Sequence, residues 1–243
     1  MNNSFSPSAS SLQGLALQYR AIAHNMANVN TTGFKRDVNS FSQKLMQRMG
    51  AVSGEPLVNE VQARNDIDFS QGPMHHTGRK LDVAIDGEGF FVIETPDGDR
   101  YTRNGTFRTD ENGKLVDFRG RTVAGEGGPI NIPDRYPLNQ VAISQDGTIN
   151  VAGREVGKMK VVGFEDVKVL APEGDGCYRV TDEDVKPDEL ENPVVHQGYS
   201  EKSNVNMVEE LVDLMRVTRM YEANTKMMKK QDERLRTLMQ AAM

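Results

Sequence analysis

Apolar residues follow two rhythms along this 243-residue chain, a seven-residue repeat at both ends and a two-residue alternation in the middle. Near the C-terminal end, steps of four and three from Met207 pick out Leu211, Leu214, Thr218, Tyr221, Thr225, Met228, Asp232, Leu235, Met239 and Ala242. Leu214, Tyr221, Met228, Leu235 and Ala242 recur every seven residues, the repeat that holds one face of a helix against a partner helix. Val208, Val212 and Met215 widen that face over the first two turns, so this end expects more than one neighbour. No Pro or Gly interrupts residues 204–243. The run predicts a helix about 50 Å long at roughly 1.5 Å per residue. Asn206 suits its N-cap, with Glu209 placed as in a capping box. Glu209, Glu210 and Asp213 lie toward the positive end of the helix dipole, and Lys226, Lys229, Lys230, Arg234 and Arg236 toward the negative end.

A second seam, Leu12, Leu15, Tyr19, Ile22, Met26 and Val29, predicts a helix near the start of the chain, with Ser10 or Ser11 as N-cap. It stops at Asn28-Val29-Asn30-Thr31-Thr32-Gly33, a run of turn formers. Each terminal helix could pack on its own core. The matching spacing favours the two pairing with each other and with copies of themselves. In that arrangement Leu214, Tyr221, Met228 and Leu235 face the first helix, and the column broken by Thr218, Thr225 and Asp232 faces neighbours or a channel.

Between the helices the rhythm changes. Val38, Phe41, Leu45 and Met49 have the spacing of a short helix, and the polar stretch up to Lys80 reads as an extended linker. From Leu81, Val83 and Ile85 onward, short apolar runs alternate with turn formers such as Asn104-Gly105, Asn112-Gly113 and Asp146-Gly147. Such turns close hairpins, and strands at this spacing predict an antiparallel barrel or sandwich. The expected class is therefore α+β, with N- and C-terminal helices pairing as a coiled coil around an inserted antiparallel β-rich domain. The expected divisions are residues 1–36, a linker over 37–80, the β-rich domain over 81–195, and 196–243.

Composition narrows the function. Net charge is −6, which argues against nucleic acid as the main partner. A single cysteine, Cys177, excludes an intrachain disulfide. Residues 1–14 are polar and carry no Lys or Arg, so no Sec-type leader is expected, and no run approaches the roughly 20 apolar residues of a membrane span. His24, His75, His76 and His196 lack metal-ligand spacing. Asp97-Gly98-Asp99 and Asp110 to Gly113 lack the full calcium-loop pattern and read as hairpin turns. Asp182-Glu183-Asp184 reads as a solvated patch, and Gly125 to Pro129 lacks the Lys-Ser/Thr of a phosphate loop. No nucleophile–base pair is visible, so neither an enzyme nor a cofactor is expected.

Four ordered stretches then carry a resemblance. They are residues 27–36 (with Asn28, Asn30, Thr31, Gly33, Phe34 and Lys35), residues 81–91 (with Gly87, Gly89, Phe90 and Phe91) followed by Tyr101-Thr102-Arg103-Asn104-Gly105, residues 197–206 (with Gly198, Ser203, Asn204 and Asn206), and the final helix with Glu209-Glu210-Leu211 and Tyr221-Glu222-Ala223-Asn224. Together they resemble the bacterial flagellar rod and hook family over nearly the whole chain. Residues 125–130 look most like the proximal-rod type, and the stretch from Gln197 looks equally like the distal-rod type. His24-Asn25-Met26 departs from the family, which usually has two Asn and Leu there.

The resemblance implies terminal helices lining an inner tube, a β-domain outside it, and helical assembly of copies around a channel. It implies export through the flagellar type III apparatus, and other rod and hook proteins as partners in the basal body. The seam residues Leu12, Leu15, Tyr19, Ile22, Met26, Leu211, Leu214, Tyr221, Met228 and Leu235 would be the assembly contacts. Two rivals from other classes are a secreted carbohydrate-binding or carbohydrate-active β-domain with helical ends, and a soluble coiled-coil adaptor.

Overall fold

A computed structural model describes residues 6–43, 61–133, 135–182, 185–190 and 192–241. In chain order, helix α1 (Ser6–Ala27) precedes strands β1 (Arg36–Gln43) and β2 (Val61–Asp68). Next come β3 (Met74–His76), β4 (Val83–Asp86), β5 (Phe90–Thr95), β6 (Gly98–Thr102), β7 (Arg108–Thr109), β8 (Leu115–Val116) and β9 (Thr122–Val123). They are followed by β10 (Val141–Ile143), β11 (Thr148–Val151), β12 (Arg154–Lys158), β13 (Val161–Gly163), β14 (Leu170–Gly174) and β15 (Cys177–Val180). The last elements are β16 (Asp188–Glu189), β17 (Val194–Gln197), β18 (Tyr199–Glu201) and helix α2 (Met207–Ala241). The class is mixed, with a helix toward each end and antiparallel sheets between.

The chain divides into two compact units. The helical unit holds the residues up to Ala27, Asp37–Asp68 and those from Asn206 onward. The β unit holds Asn28–Arg36 and Phe69–Val205. This division differs from the one expected from sequence. The turn motif after α1 folds with the strands, whereas β1 and β2 group with the helices. Hydrogen bonds explain the first point: Gly33 N donates to Glu201 O at 2.8 Å, which anchors the motif to β18.

In the β unit, the central strand β5 pairs with β6, β9 and β13, all antiparallel. Its first four residues, Phe90 to Ile93, are all buried, as an unbroken apolar run in a covered strand should be. The hairpin β10–β11 with β12 forms a separate three-stranded sheet, and β4 pairs with β17. Val83, Ile85, Phe91, Ile93, Phe107, Val141, Ile149, Met159 and Val195 share one core drawn from all three sheets. Phe91 and Phe107 meet edge to face in it, with ring centroids 5.2 Å apart. The Asp146-Gly147 turn forms as its chemistry predicts, with the Asp146 carboxylate accepting from Thr148 N at 3.1 Å and from Thr148 Oγ1 at 2.7 Å.

In the helical unit, α1 starts at Ser6 with Pro7 in its first turn, a position that does not need the missing N–H. Ser10 and Ser11 therefore lie inside the helix and are not its cap. The short helix expected from Val38 and Phe41 is instead strand β1, paired with β2. Pairing with a neighbour overrides two apolar residues at helical spacing. Leu45 and Met49 of that expectation lie outside the described residues.

Candidate functional site

Two places hold the residues singled out in the sequence, one in each unit. In the β unit the shared stretches converge on a buried carboxylate. Lys35 Nζ donates to Glu201 Oε1 at 2.6 Å and to Ser70 O at 2.6 Å. Both side chains of this ion pair are fully shielded from solvent. Gly72 N donates to the same Glu201 oxygen at 2.8 Å. Arg103 Nη1 lies 3.6 Å from Glu201 Oε2, and its guanidinium sits 5.2 Å from the centre of the Phe90 ring. Burial pulls the Arg103 guanidinium below its ordinary range, and the charge of Glu201 opposes that pull. Asn204 completes the cluster, accepting from Arg36 N at 2.8 Å and donating to Ser70 O and Ser70 Oγ at 3.1 Å.

Glycine is required at two points of this cluster. A Cβ on Gly72 would stand 2.0 Å from Lys202 O. Gly33 has φ +70°, and a Cβ there would stand 2.5 Å from Asn104 N. The other named motif residues surround them. Phe34 and Phe90 are buried, Phe91 lies in the main core, and Ser203 Oγ accepts from Val205 N. Thr31 hydrogen-bonds Asn28 through both its backbone and its hydroxyl, within the turn. Asn30 is exposed. Gly87 N donates to Gln71 Oε1, and Gly198 N to Asp82 O. A Cβ on Gly89 would meet Leu190 at 2.8 Å.

The helical unit holds the second place. Leu15, Ile22 and Val217 form a small buried cluster, with Met26 and Leu214 packed against it. Of the ten seam residues, the structure brings Leu15, Ile22, Met26 and Leu214 together here. Leu12 and Met228 are half-buried, Tyr19, Leu211 and Tyr221 are exposed, and the Leu235 side chain lies outside the description. Val217, absent from the expected seam, is buried. Thr218 and Thr225 return their hydroxyls to Leu214 O and Tyr221 O within the helix, both at 2.8 Å. Asn206 caps α2 as expected, accepting from Val208 N and donating to Glu209 Oε1, both at 3.1 Å. Glu210 is fully buried, and its Oε1 accepts from Asn25 Nδ2 at 3.3 Å. Asn25 also brackets the Asp37 backbone, donating to its carbonyl and accepting from its N–H. His24 Nδ1 stands 2.6 Å from Asp37 Oδ2.

Glu201, Arg103, Ser70, Gly72, Asn25 and Val217 received no role from the sequence. Glu201 and Arg103 had one signal, their place inside stretches that carry the resemblance, but burial of a charge depends on partners distant in sequence. Among the described residues, no group of three or more His, Cys, Asp or Glu could hold a metal ion, and no helix is long and apolar enough to cross a membrane. Cys177 is buried, which pushes its thiol up, and Arg121 Nη2 lies 3.1 Å from its sulfur.

The family model described as the flagellar hook protein FlgE/F/G D1 domain matches residues 84–151, and that of the flagellar basal body rod FlgEFG protein C-terminal region matches residues 196–241. The flagellar basal-body rod protein FlgF of Caulobacter vibrioides is 36% identical over 233 residues, covering 94% of this chain and 93% of that protein. The chain belongs to the flagellar basal-body rod protein family. Other members include the rod protein FlgG of Buchnera aphidicola from Schizaphis graminum, 33% identical with 96% and 97% of the two chains covered. FlgF of Rhizobium meliloti is 30% identical with 90% and 89% covered. The rod C-terminal match takes in Glu201, Asn204, Asn206, Glu210 and α2, so both places described above contribute residues to it.

Proposed function

We propose that this chain is a structural axial subunit of the flagellar basal-body rod. It assembles with copies of itself, and with other rod and hook proteins, into a helical array around a central channel, and it transmits torque from the motor to the hook. It arrives through the flagellar type III export apparatus. In the assembly α1 and α2 pair as a coiled coil, and Leu12, Leu15, Tyr19, Ile22, Met26, Leu211, Leu214, Tyr221, Met228 and Leu235 supply the contacts. Because the contact between copies is heterologous, it propagates and does not close into a dimer.

The observation that carries this reading is the exposed apolar face of α2. Met207, Val208, Leu211, Val212, Met215, Met220 and Tyr221 are all exposed large apolar side chains. Met207, Val208, Leu211, Val212 and Met215 share one side of the helix, and such an exposed face, beside a cluster in which Leu15, Ile22 and Val217 are the buried apolar residues among those described, fits contact with further protein. Within the family we read the chain as the proximal-rod type, on the resemblance of residues 125–130.

The test is complementation of a strain lacking the gene with Leu211→Asp combined with Tyr221→Asp. Both positions are exposed, 40% and 49%, so the isolated chain should fold unchanged. Swimming should be lost and no rod completed. Swimming at the wild-type level would contradict the reading. Imaging of labelled basal bodies then places the chain in the proximal rod or moves it to the distal rod or hook.

A further inference from the structure

Strands β3 and β18 form a two-stranded sheet of three residue pairs: Tyr199 opposite His76, Ser200 opposite His75, and Glu201 opposite Met74. Nothing in Met-His-His or Tyr-Ser-Glu distinguishes one face by hydrophobicity. Registers are weakly specified in such strands, and a slip of one residue turns every side chain to the other face. Glu201 is the exception. In the observed register its Oε1 accepts from both Lys35 and Gly72, and its own carbonyl accepts from Gly33 N. A slip would withdraw the carboxylate and leave Lys35 charged in a site with no access to solvent.

A buried ion pair adds little net stability, because desolvating both charges offsets most of their attraction, whereas a buried charge left unpaired is strongly destabilising. That asymmetry penalises every register but one. We propose that the Lys35–Glu201 pair is a register lock: it selects the native alignment of β18 on β3, and so fixes where the chain leaves the β unit. Lys35 and Glu201 are positioning residues in this role. Arg103 supports the lock from the other side of the carboxylate, at 3.6 Å. The proposal does not depend on the rod reading, since it concerns folding within the β unit.

The test replaces all three charges of the cluster in the full chain, Lys35→Met with Glu201→Met and Arg103→Met, because Arg103 is buried and would otherwise lose its carboxylate. Register is read by disulfide trapping, in wild-type and triple-Met backgrounds. The pair His75→Cys with Ser200→Cys reports the native register, because directly opposed strand residues lie within disulfide reach. The pair His76→Cys with Ser200→Cys reports a slipped one. Against the wild-type background only the native pair should cross-link. In the triple-Met background cooperative unfolding should persist near the wild-type temperature. The slipped-to-native cross-linking ratio should rise about tenfold or more, because the penalty that an unpaired buried charge places on the slipped register is gone. An unchanged ratio would overturn the proposal. So would failure of the triple-Met chain to fold, which would make the charges a source of stability and not of selection.

Discussion

The two units solve the problem of burial in opposite ways. The β unit closes its core on itself, with side chains such as Val83, Phe91, Ile93 and Val123 at most 1% exposed. It even encloses charges, and each enclosed charge has a specific partner. Among its described side chains, the helical unit buries the apolar residues Leu15, Ile22 and Val217 and leaves a longer set of apolar residues on α2 facing outward. Burying a large apolar side chain contributes roughly 1.5–3 kcal/mol, so the three among the described residues give the contact of α1 with α2 limited support. Isolated helices are themselves marginal in water. On the proposed function this contrast is a division of labour: one unit is finished within the chain, and the other is finished by neighbours.

Equal truncations in the two units sharpen that contrast. Leu115 is 1% exposed in the β core, and Leu238 is 66% exposed on α2. Leu115→Ala should cost about 2–5 kcal/mol of unfolding free energy, as buried Leu-to-Ala changes do. Leu238→Ala should leave the isolated chain within about 0.5 kcal/mol of wild type, as surface changes do. Denaturant titration of both variants is the check. Comparable losses would mean that α2 already has its partner in the single chain.

A smaller effect is expected at the Asp146 turn. The Thr148 hydroxyl and backbone N–H bonds hold the Asp146 carboxyl below its ordinary value of 3.8. The folded state therefore prefers the ionised form. This contribution is fully present above the ordinary value and is lost as pH falls through the lower folded value. Asp146→Asn should remove a slight part of the acid sensitivity of the β unit and leave α2 helicity unaltered. Unfolding curves across the acid range, read by a β-unit probe and by helical circular dichroism, would show it. An identical acid profile in the variant would mean that the turn bonds do not favour the charged form.

Much of this division was legible in the sequence, for physical reasons. Turn chemistry marked the hairpins, because Asp146-Gly147 encodes its geometry locally. The heptads marked both helices, because α-helical spacing is also local. The facing of α2 was less accessible. Leu214 and Val217 meet α1, while Tyr221 stays exposed, because how far a partner covers a helix face is not written in the spacing along that helix. Val38 and Phe41 show the same limit, since spacing alone cannot reveal the strand β2 that claims them. The Lys35–Glu201 pair was hidden for a different reason: 166 positions separate the partners, and a charge in sequence looks solvated until its partner is placed.

On the proposed function the helical unit completes itself only among copies. Residue-resolved amide exchange on the dilute monomer, and again on the assembled rod, tests it most directly. β5 and β6 should be strongly protected in both states, with α2 beyond Val217 exchanging freely in the monomer and protected in the rod. Protection of that part of α2 in dilute monomer, at the level of β5, would contradict it.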